Sequence, residues 1–415
     1  MSPLKSKIAV DRSAIPIADA NTLRRARIAI SASFFNWGLG FAIWVIHIPA
    51  IVARLAVDPA VLGLALLNVG LGALISQPIS PWIVARFGSR TTLGLSMPVF
   101  MAASLLPVTA WNTPVLFLGT LLLGLAVGVN NVAINTQGAE VEKRRGQPTM
   151  SSFHGFFSLG ELAGAAVGGG IYALGLQDGR GAAIFALAMI VTSLVSARYY
   201  LANATTAAKQ TQAKSKRGFE LPGLAILGLV VLTFFSNTVE GAVNDWSTLY
   251  LVTVRGLDAT LATSGFAAFA LAMALCRLGG GPVVARLGDK NVLVYGGLLM
   301  AVGMGVVVIS PWAILSPAGF ALVAVGAANT IPVMMSVASR SPGVEPSIGI
   351  AAIATGALSG FLIGPPIIGF VAHALGLAAA MGLLSLVGVI ILIGALLRRW
   401  PESSPAVSLA QNVES

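Results

Sequence analysis

About twelve apolar stretches follow one another along the 415 residues of this chain. Each is near or above the roughly 20 residues that a helix needs to cross a bilayer. They lie near 28–53, 59–84, 91–111, 114–138, 150–175, 181–201, 222–253, 259–284, 291–311, 314–338, 347–374 and 377–397. In a bilayer every backbone N–H and C=O must be satisfied within a helix or around a closed barrel. The stretches are continuous rather than alternating, which predicts helices and not barrel strands. Only 10% of the residues are charged and 56% are hydrophobic, against about 25% charged in soluble domains. A soluble protein of this length could not cover its surface. The expected class is an all-α polytopic membrane protein with the lipid bilayer as its partner.

The net charge of +10 could point to nucleic acid, but its distribution points elsewhere. With both termini cytoplasmic, 21 of the 25 Lys and Arg fall on the cytoplasmic side. Arg54, Arg180 and Arg255 fall outside, and Arg277 lies within a helix. This is the positive-inside pattern, so no nucleic-acid partner is expected. The basic segment before the first stretch lacks the apolar core and cleavage site of a secretory signal. The first helix is therefore expected to remain as an anchor. One cysteine, Cys276, permits no disulfide within the chain.

The chain also matches itself at a spacing of 200 residues. Phe34 and Phe35 recur as Phe234 and Phe235, and Asp58 recurs as Asp258. Val84-Ala85-Arg86-Phe87-Gly88 recurs as Val284-Ala285-Arg286-Leu287-Gly288, and Gly160, Gly164 and Gly169 recur as Gly360, Gly364 and Gly369. In an apolar chain such a period predicts two membrane halves with a site between them. The longest polar interruption, with Lys209, Lys214, Lys216 and Arg217, falls between the halves. The predicted organisation is a tail (1–27), a six-helix bundle (28–201), a linker (202–221), a second bundle (222–398) and a tail (399–415).

An ionisable side chain inside a membrane is costly, so each is a functional candidate. Asn237, Glu240 and Asn244 stand at i, i+3 and i+7, on one helix face. Such a polar stripe must look at water or at a partner. Glu240 is the first candidate for proton coupling, followed by Glu161 and Asp245. Glu161 follows Gly160 in the run Gly160, Gly164, Gly168, so it either lines a cavity or faces a neighbouring helix. Arg277 is either a counter-ion to one of these acids or half of an ion pair near the cytoplasmic surface. His47 and His154 are read first as structural, and Trp44 and Trp246 as cavity or interfacial residues. The sequence holds no Gly-Lys-Ser/Thr phosphate loop, Cys/His metal cluster or nucleophile elbow, so neither an enzyme nor a bound cofactor is expected.

The loop at Arg86-Phe87-Gly88-Ser89-Arg90 resembles the loop between the second and third helices of the major facilitator superfamily. Arg86, Gly88 and Arg90 match there, as do Gly281, Arg286, Gly288 and Lys290 in the second copy. Ala85 and Ala285 stand where the family has an acid. Glu140 or Glu142 is then the acid expected to face these basic residues, and Arg86, Arg90, Arg286 and Lys290 become gating candidates. Glu240-Gly-Ala-Val-Asn244-Asp245-Trp246 and Ser151-Ser-Phe-His154-Gly resemble the YbjJ-type and MosC-type branch. That branch is related to the fucose permeases, and its MosC-type members are associated with uptake of an amino-inositol.

The resemblance implies twelve helices in two pseudo-symmetric six-helix bundles, with helices 1, 4, 7 and 10 lining a cavity. It also implies a monomer in a bacterial inner membrane, energised by a proton gradient and carrying a sugar-like or inositol-like solute. The solute-binding candidates are Asn36, Trp37, Asn131, Asn135, His154, Asn237, Asn244 and Asn329, since carboxamides suit hydroxyl-rich solutes. The alternatives are a drug or metabolite:proton antiporter and a membrane sensor that moves nothing. Gly360-x-x-x-Gly364-Pro365 resembles an antiporter pattern, but the fifth stretch, where antiporters carry it, has Ala165 in place of the proline.

Overall fold

The computed structural model describes residues 20–400 apart from 147–148, 177, 203–223, 342–343, 345 and 399. The linker expected at 202–221 and most of both expected tails lie outside the described residues. The first half comprises α1 (Ala20–Leu55), α2 (Pro59–Ser76), α3 (Ser89–Val108), α4 (Thr113–Arg145), α5 (Met150–Ala173) and α6 (Arg180–Ala197). The second comprises α7 (Leu224–Thr253), α8 (259–287), α9 (289–309), α10 (Ala313–Ser339), α11 (Pro346–Leu375) and α12 (Leu377–Leu397). After a turn at 77–79, α2 continues into a short foot, Ser80–Phe87. Ten helical runs among the described residues are long and apolar enough to span a membrane, one of them α8 and α9 together. With α5, which carries Glu161, these give the twelve expected helices. Arg24, Arg25 and Arg27, placed in the expected tail, lie within α1.

The spacing of 200 residues becomes a set of duplicated local structures. Gly88 (φ 82°, ψ 147°) and Gly288 (φ 75°, ψ 161°) break the chain at matching points between helices. Both adopt a positive φ that a side chain disfavours. Asp58 accepts from Ala60 N and Val61 N at the start of α2, and Asp258 accepts from Thr260 N and Leu261 N at the start of α8. Each carboxylate satisfies two N–H groups that the helix itself cannot. Arg54 donates to Ala110 O and Val108 O, and Arg255 donates to Val307 O and Ser310 O. These two arginines, exceptions to the positive-inside pattern, therefore occupy the carbonyl ends of α3 and α9.

Small residues set how closely the helices approach. A β-carbon on Gly160 would collide with Phe35 O of α1, and one on Gly38 with Phe157 O of α5. The second half repeats this: a β-carbon on Gly360 would collide with Phe234 O of α7, and Gly364 lies against Thr238. The Gly-x-x-x-Gly-Pro resemblance on α11 is thus a packing surface matching that of α5.

The loops alternate between two faces. The basic face carries Arg86, Arg90, Lys143, Arg198, Arg286, Lys290 and Arg340. The halves meet through α2 with α11 and α5 with α8. Near the opposite face, a β-carbon on Gly63 would sit 3.0 Å from Pro365 O and 3.1 Å from Gly369 Cα. There too, one on Gly169 would sit 3.1 Å from Thr263 Oγ1. Farther along, a β-carbon on Gly70 of α2 would still collide with Leu362 of α11, while the glycines beyond it touch only their own half. Gly72 lies against Leu121 O and Leu125 N of α4, and Gly356 against Val230 O of α7. The α2–α11 contacts between the halves thus run from the opposite face to about mid-membrane, and the α5–α8 seam also holds Gly155 against Leu278 toward the basic face.

Gly160→Val is expected to prevent accumulation of folded protein, because its Cβ meets a backbone carbonyl that cannot yield. Gly170→Ala, whose Cβ has nothing within 4 Å, should leave the folded yield unchanged. Fluorescence-detected size-exclusion chromatography of the two variants checks this.

Candidate functional site

Three charged side chains from both halves converge within the bundle. Arg277 on α8 reaches Glu240 on α7, with Nη2 2.8 Å from Oε1. The α8 side chains tilt toward its N-terminus, which carries the guanidinium away from the basic face and into the bundle. Glu161 on α5 belongs to the other half, yet it interacts electrostatically with both Arg277 and Glu240. Arg277 also faces His154, one helical turn before Phe157 on α5. The sequence left Arg277 open between two roles, and the geometry makes it the counter-ion of the membrane acids. Glu161 is 6% exposed and accepts no hydrogen bond among the described residues. A carboxylate in that position is costly unless a charge or a proton answers it.

An aromatic layer lies beside this trio, between α1 and α5. Trp37 packs edge-on against Phe157 at 5.0 Å, and Phe34 stacks on Phe153 at 5.6 Å and meets His154 at 5.2 Å. Phe157 and Glu161 stand at i and i+4, so they share one face of α5. Gly38 brings α1 against the backbone N of Glu161, fixing the carboxylate at the depth of the aromatic layer.

The carboxamides divide into separate groups. Asn36 turns to α6 and donates to Thr192 Oγ1 at 2.9 Å. Asn135 on α4 donates to both the backbone O and the Oδ1 of Asn131, and both residues are half-buried. Asn237 donates to Thr233 O at 3.1 Å, one turn back on α7. Asn244 is 7% exposed with no hydrogen-bond partner among the described residues. Asn329 sits where α10 breaks and packs onto Gly280 of α8, its Nδ2 3.5 Å from Cys276 O. Asn130, left outside the candidate set, is fully buried and accepts from Ser96.

Toward the opposite face the site is sealed. Residues 241–251 of α7 and 42–49 of α1 are buried on every side. Asp245 lies in this sealed part of α7, away from the trio. Trp44 and Trp246 are 1% and 0% exposed, so neither is an interfacial residue. His47 interrupts α1, with Nδ1 2.7 Å from Ile43 O, and Tyr172 donates to the freed Ile46 O. At the surface of the seal, His373 Nδ1 of α11 lies 3.7 Å from Asp58 Oδ1 of the first half. The repeat has no His at position 173, where Ala stands, so the sequence period gave no hint of this contact.

The acids expected beside the gating candidates have other partners. Glu140 pairs with Arg144 at 2.6 Å, and Glu142 accepts from Thr149 N and Met150 N at the start of α5. Neither reaches Arg86 or Arg90. Arg90 donates to Arg198 O. In the second half Asp289, which sequence reasoning passed over, pairs with Arg340 at 2.7 Å. Its place beside Gly288 and Lys290 was the available signal.

The family model of the Major Facilitator Superfamily matches residues 28–278 and 256–414. An uncharacterised MFS-type transporter of Yersinia pestis is 32% identical over 353 residues, covering 85% of this chain and 90% of that protein. The membrane protein MosC of Rhizobium meliloti is 30% identical over 366 residues, covering 88% of each. Among solved structures, a variant of the nucleoside transporter NupG superposes with a TM-score of 0.73 at 12% identity. That superposition covers 89% of this chain and 99% of the neighbour, and it shows a common fold.

Arg277→Gln removes the only cation from the trio and leaves Glu240 unpaired. It is expected to lower the thermal midpoint of the purified protein. The cost should fall somewhat below the roughly 3–5 kcal/mol of a fully buried broken pair, since Arg277 is 30% exposed. The double variant Arg277→Gln/Glu240→Gln should recover most of that loss. A thermal-shift double-mutant cycle measures both.

Proposed function

The chain belongs to the Major Facilitator Superfamily and is a membrane transporter, and on that premise we propose that it carries a small polar organic solute by proton-coupled alternating access. The solute is sugar-like or inositol-like. The basic face is the cytoplasmic one, in a bacterial inner membrane, following the positive-inside rule. The carrier works as a monomer, with the proton gradient as its energy source and no bound cofactor.

The observation that carries this reading is the trio Glu161, Arg277 and Glu240, contributed by both halves. Two carboxylates and one guanidinium leave one negative charge. Exchange between inward and outward states passes through a closed form in which the trio has little water. A net charge there is expensive. One proton makes the trio neutral, so a neutral solute and one proton cross together. Glu161 is the proton carrier in this scheme, because Arg277 already answers Glu240. The sequence order of preference, with Glu240 first, is reversed for that reason. Asp245 is a further coupling candidate on the sealed segment of α7.

Trp37 and His154, beside Glu161, offer an aromatic face and a polar edge to a ring-shaped solute. Asn131 and Asn135 on α4, Asn237 and Asn244 on α7, and Asn329 on α10 supply carboxamides from the helices that line such a cavity. Asn36 serves as a brace to α6. A nucleoside, the cargo named for the fold neighbour, joins polyols and sugars in the set of solutes to screen. The exporter alternative draws on Gly360 and Gly364, whose contacts with α7 account for them as packing residues.

In liposomes with an imposed pH gradient, wild-type protein should accumulate its solute. Glu161→Gln should lose gradient-driven accumulation by at least about tenfold, roughly 1.4 kcal/mol, while still exchanging solute at equal concentrations. Glu240→Gln should impair both assays, because it strands Arg277. Gradient-driven uptake by Glu161→Gln at the wild-type rate would reject Glu161 as the proton carrier. Oxidative cross-linking of Asp58→Cys/His373→Cys in a Cys276→Ala background should stop transport by locking the sealed face. Reduction should restore it.

A further inference from the structure

The outer surface of the first half bears an apolar groove of about 720 Å³, bounded by the foot of α2, α3 and α4. Ile83 and Phe87 of the foot, Leu95 and Val99 of α3, and Leu122 and Val129 of α4 line it. From Thr91 to Leu106 on α3 it extends over sixteen residues, a rise of about 22 Å at 1.5 Å per residue. That exceeds one leaflet of a hydrocarbon core about 30 Å thick. The groove begins at the basic face, where Phe87 adjoins Arg86 and Thr91 adjoins Arg90.

The chemistry at that mouth is one-sided. Arg86 and Arg90 are exposed, and Ala85 stands beside them. Glu140 is held by Arg144 and Glu142 by the N-terminus of α5. No carboxylate pairs with Arg86 or Arg90 among the described residues. The second half differs, because Asp289 supplies an acid there and binds Arg340. An apolar groove one leaflet deep, opening at two arginines without an acid, matches one class of partner. We infer that an acidic phospholipid of the basic-face leaflet binds here, its phosphate on Arg86 and Arg90 and one acyl chain along the groove. Guanidinium groups bind phosphate through several charge-assisted hydrogen bonds. The lipid would join the foot of α2 to α3 and α4. Because α2 also meets α11 at the sealed face, the lipid would brace a helix that must move during transport.

The test is native mass spectrometry of the full chain released from nanodiscs of equal phosphatidylglycerol and phosphatidylcholine. Wild-type protein should retain the acidic lipid at least fivefold over the zwitterionic one. Arg86→Gln/Arg90→Gln should retain the two equally, and Arg86→Lys/Arg90→Lys should keep a preference. Ala102→Phe, which fills the groove without touching the arginines, should abolish retention of the acidic lipid. It also serves if the glutamine variant fails to fold. Inorganic phosphate added in excess should not displace the lipid, because it lacks the chain. Equal retention by wild type, an unchanged preference in the glutamine or phenylalanine variant, or displacement by free phosphate would overturn the inference.

Discussion

A charge inside an apolar bundle must be met by another charge, a proton or water, and this requirement organises the centre of the protein. Arg277 meets it for Glu240 through a direct contact at 2.8 Å. For Glu161 it acts only at a distance and from the other half of the molecule. That asymmetry underlies the different roles proposed for the two acids. An acid in direct contact with a cation has its charge answered locally. An acid that shares the same cation at longer range responds to whatever else enters the site. Moving either half relative to the other changes the distance between Glu161 and Arg277 but leaves the Glu240–Arg277 pair intact, since α7 and α8 move together.

The scaffold that makes this possible is nearly symmetric. Gly160 and Gly360 bring α5 onto α1 and α11 onto α7 at backbone contact. Asp58 and Asp258 start equivalent helices, Arg54 and Arg255 occupy equivalent carbonyl ends, and Gly88 and Gly288 break the chain at equivalent points. None of the charged trio is duplicated. Glu161 stands opposite Phe361, Glu240 opposite Gly40, and Arg277 opposite Gln77. Phe361 packs against Gly241, so the site equivalent to Glu161 is filled with an apolar ring. The duplicated residues build the two halves, and the unduplicated charged residues meet between them.

The fold was legible in the sequence because its causes are local and repeated. Apolar length specifies a spanning helix, and the period of 200 residues marks equivalent turns, caps and packing glycines. Contacts between distant helices were less legible. Asn36 and Asn135 carry the same side chain, yet one braces α6 and the other bonds within α4. The helix rotation that separates these outcomes has no signature at a single asparagine. Glu140 and Glu142 looked available to the loop arginines, but Arg144 and the backbone of residues 149 and 150 lie closer. Local partners cost less chain entropy to reach, so they win. The contacts Asp289–Arg340 and Asp58–His373 join residues far apart in sequence and fall outside the repeat.

Alternating access demands that the seal be firm enough to exclude water and weak enough to open. The contacts at the sealed face fit both demands. Gly63 and Gly369 allow backbone to meet backbone without interlocking side chains, so separation leaves no cavity to fill. The Asp58–His373 contact is exposed, with side chains 47% and 60% accessible, and even a charged pair so exposed contributes only about 0–1 kcal/mol. Asp58 keeps its bonds to Ala60 N and Val61 N when His373 departs, so opening strands no buried group. Within each half, Gly38, Gly160 and Gly360 likewise bring helix backbones into contact. In the proposed cycle, the exposed Asp58–His373 contact and the glycine approach beside it are where the halves part, at the interface that Glu161 and Arg277 share.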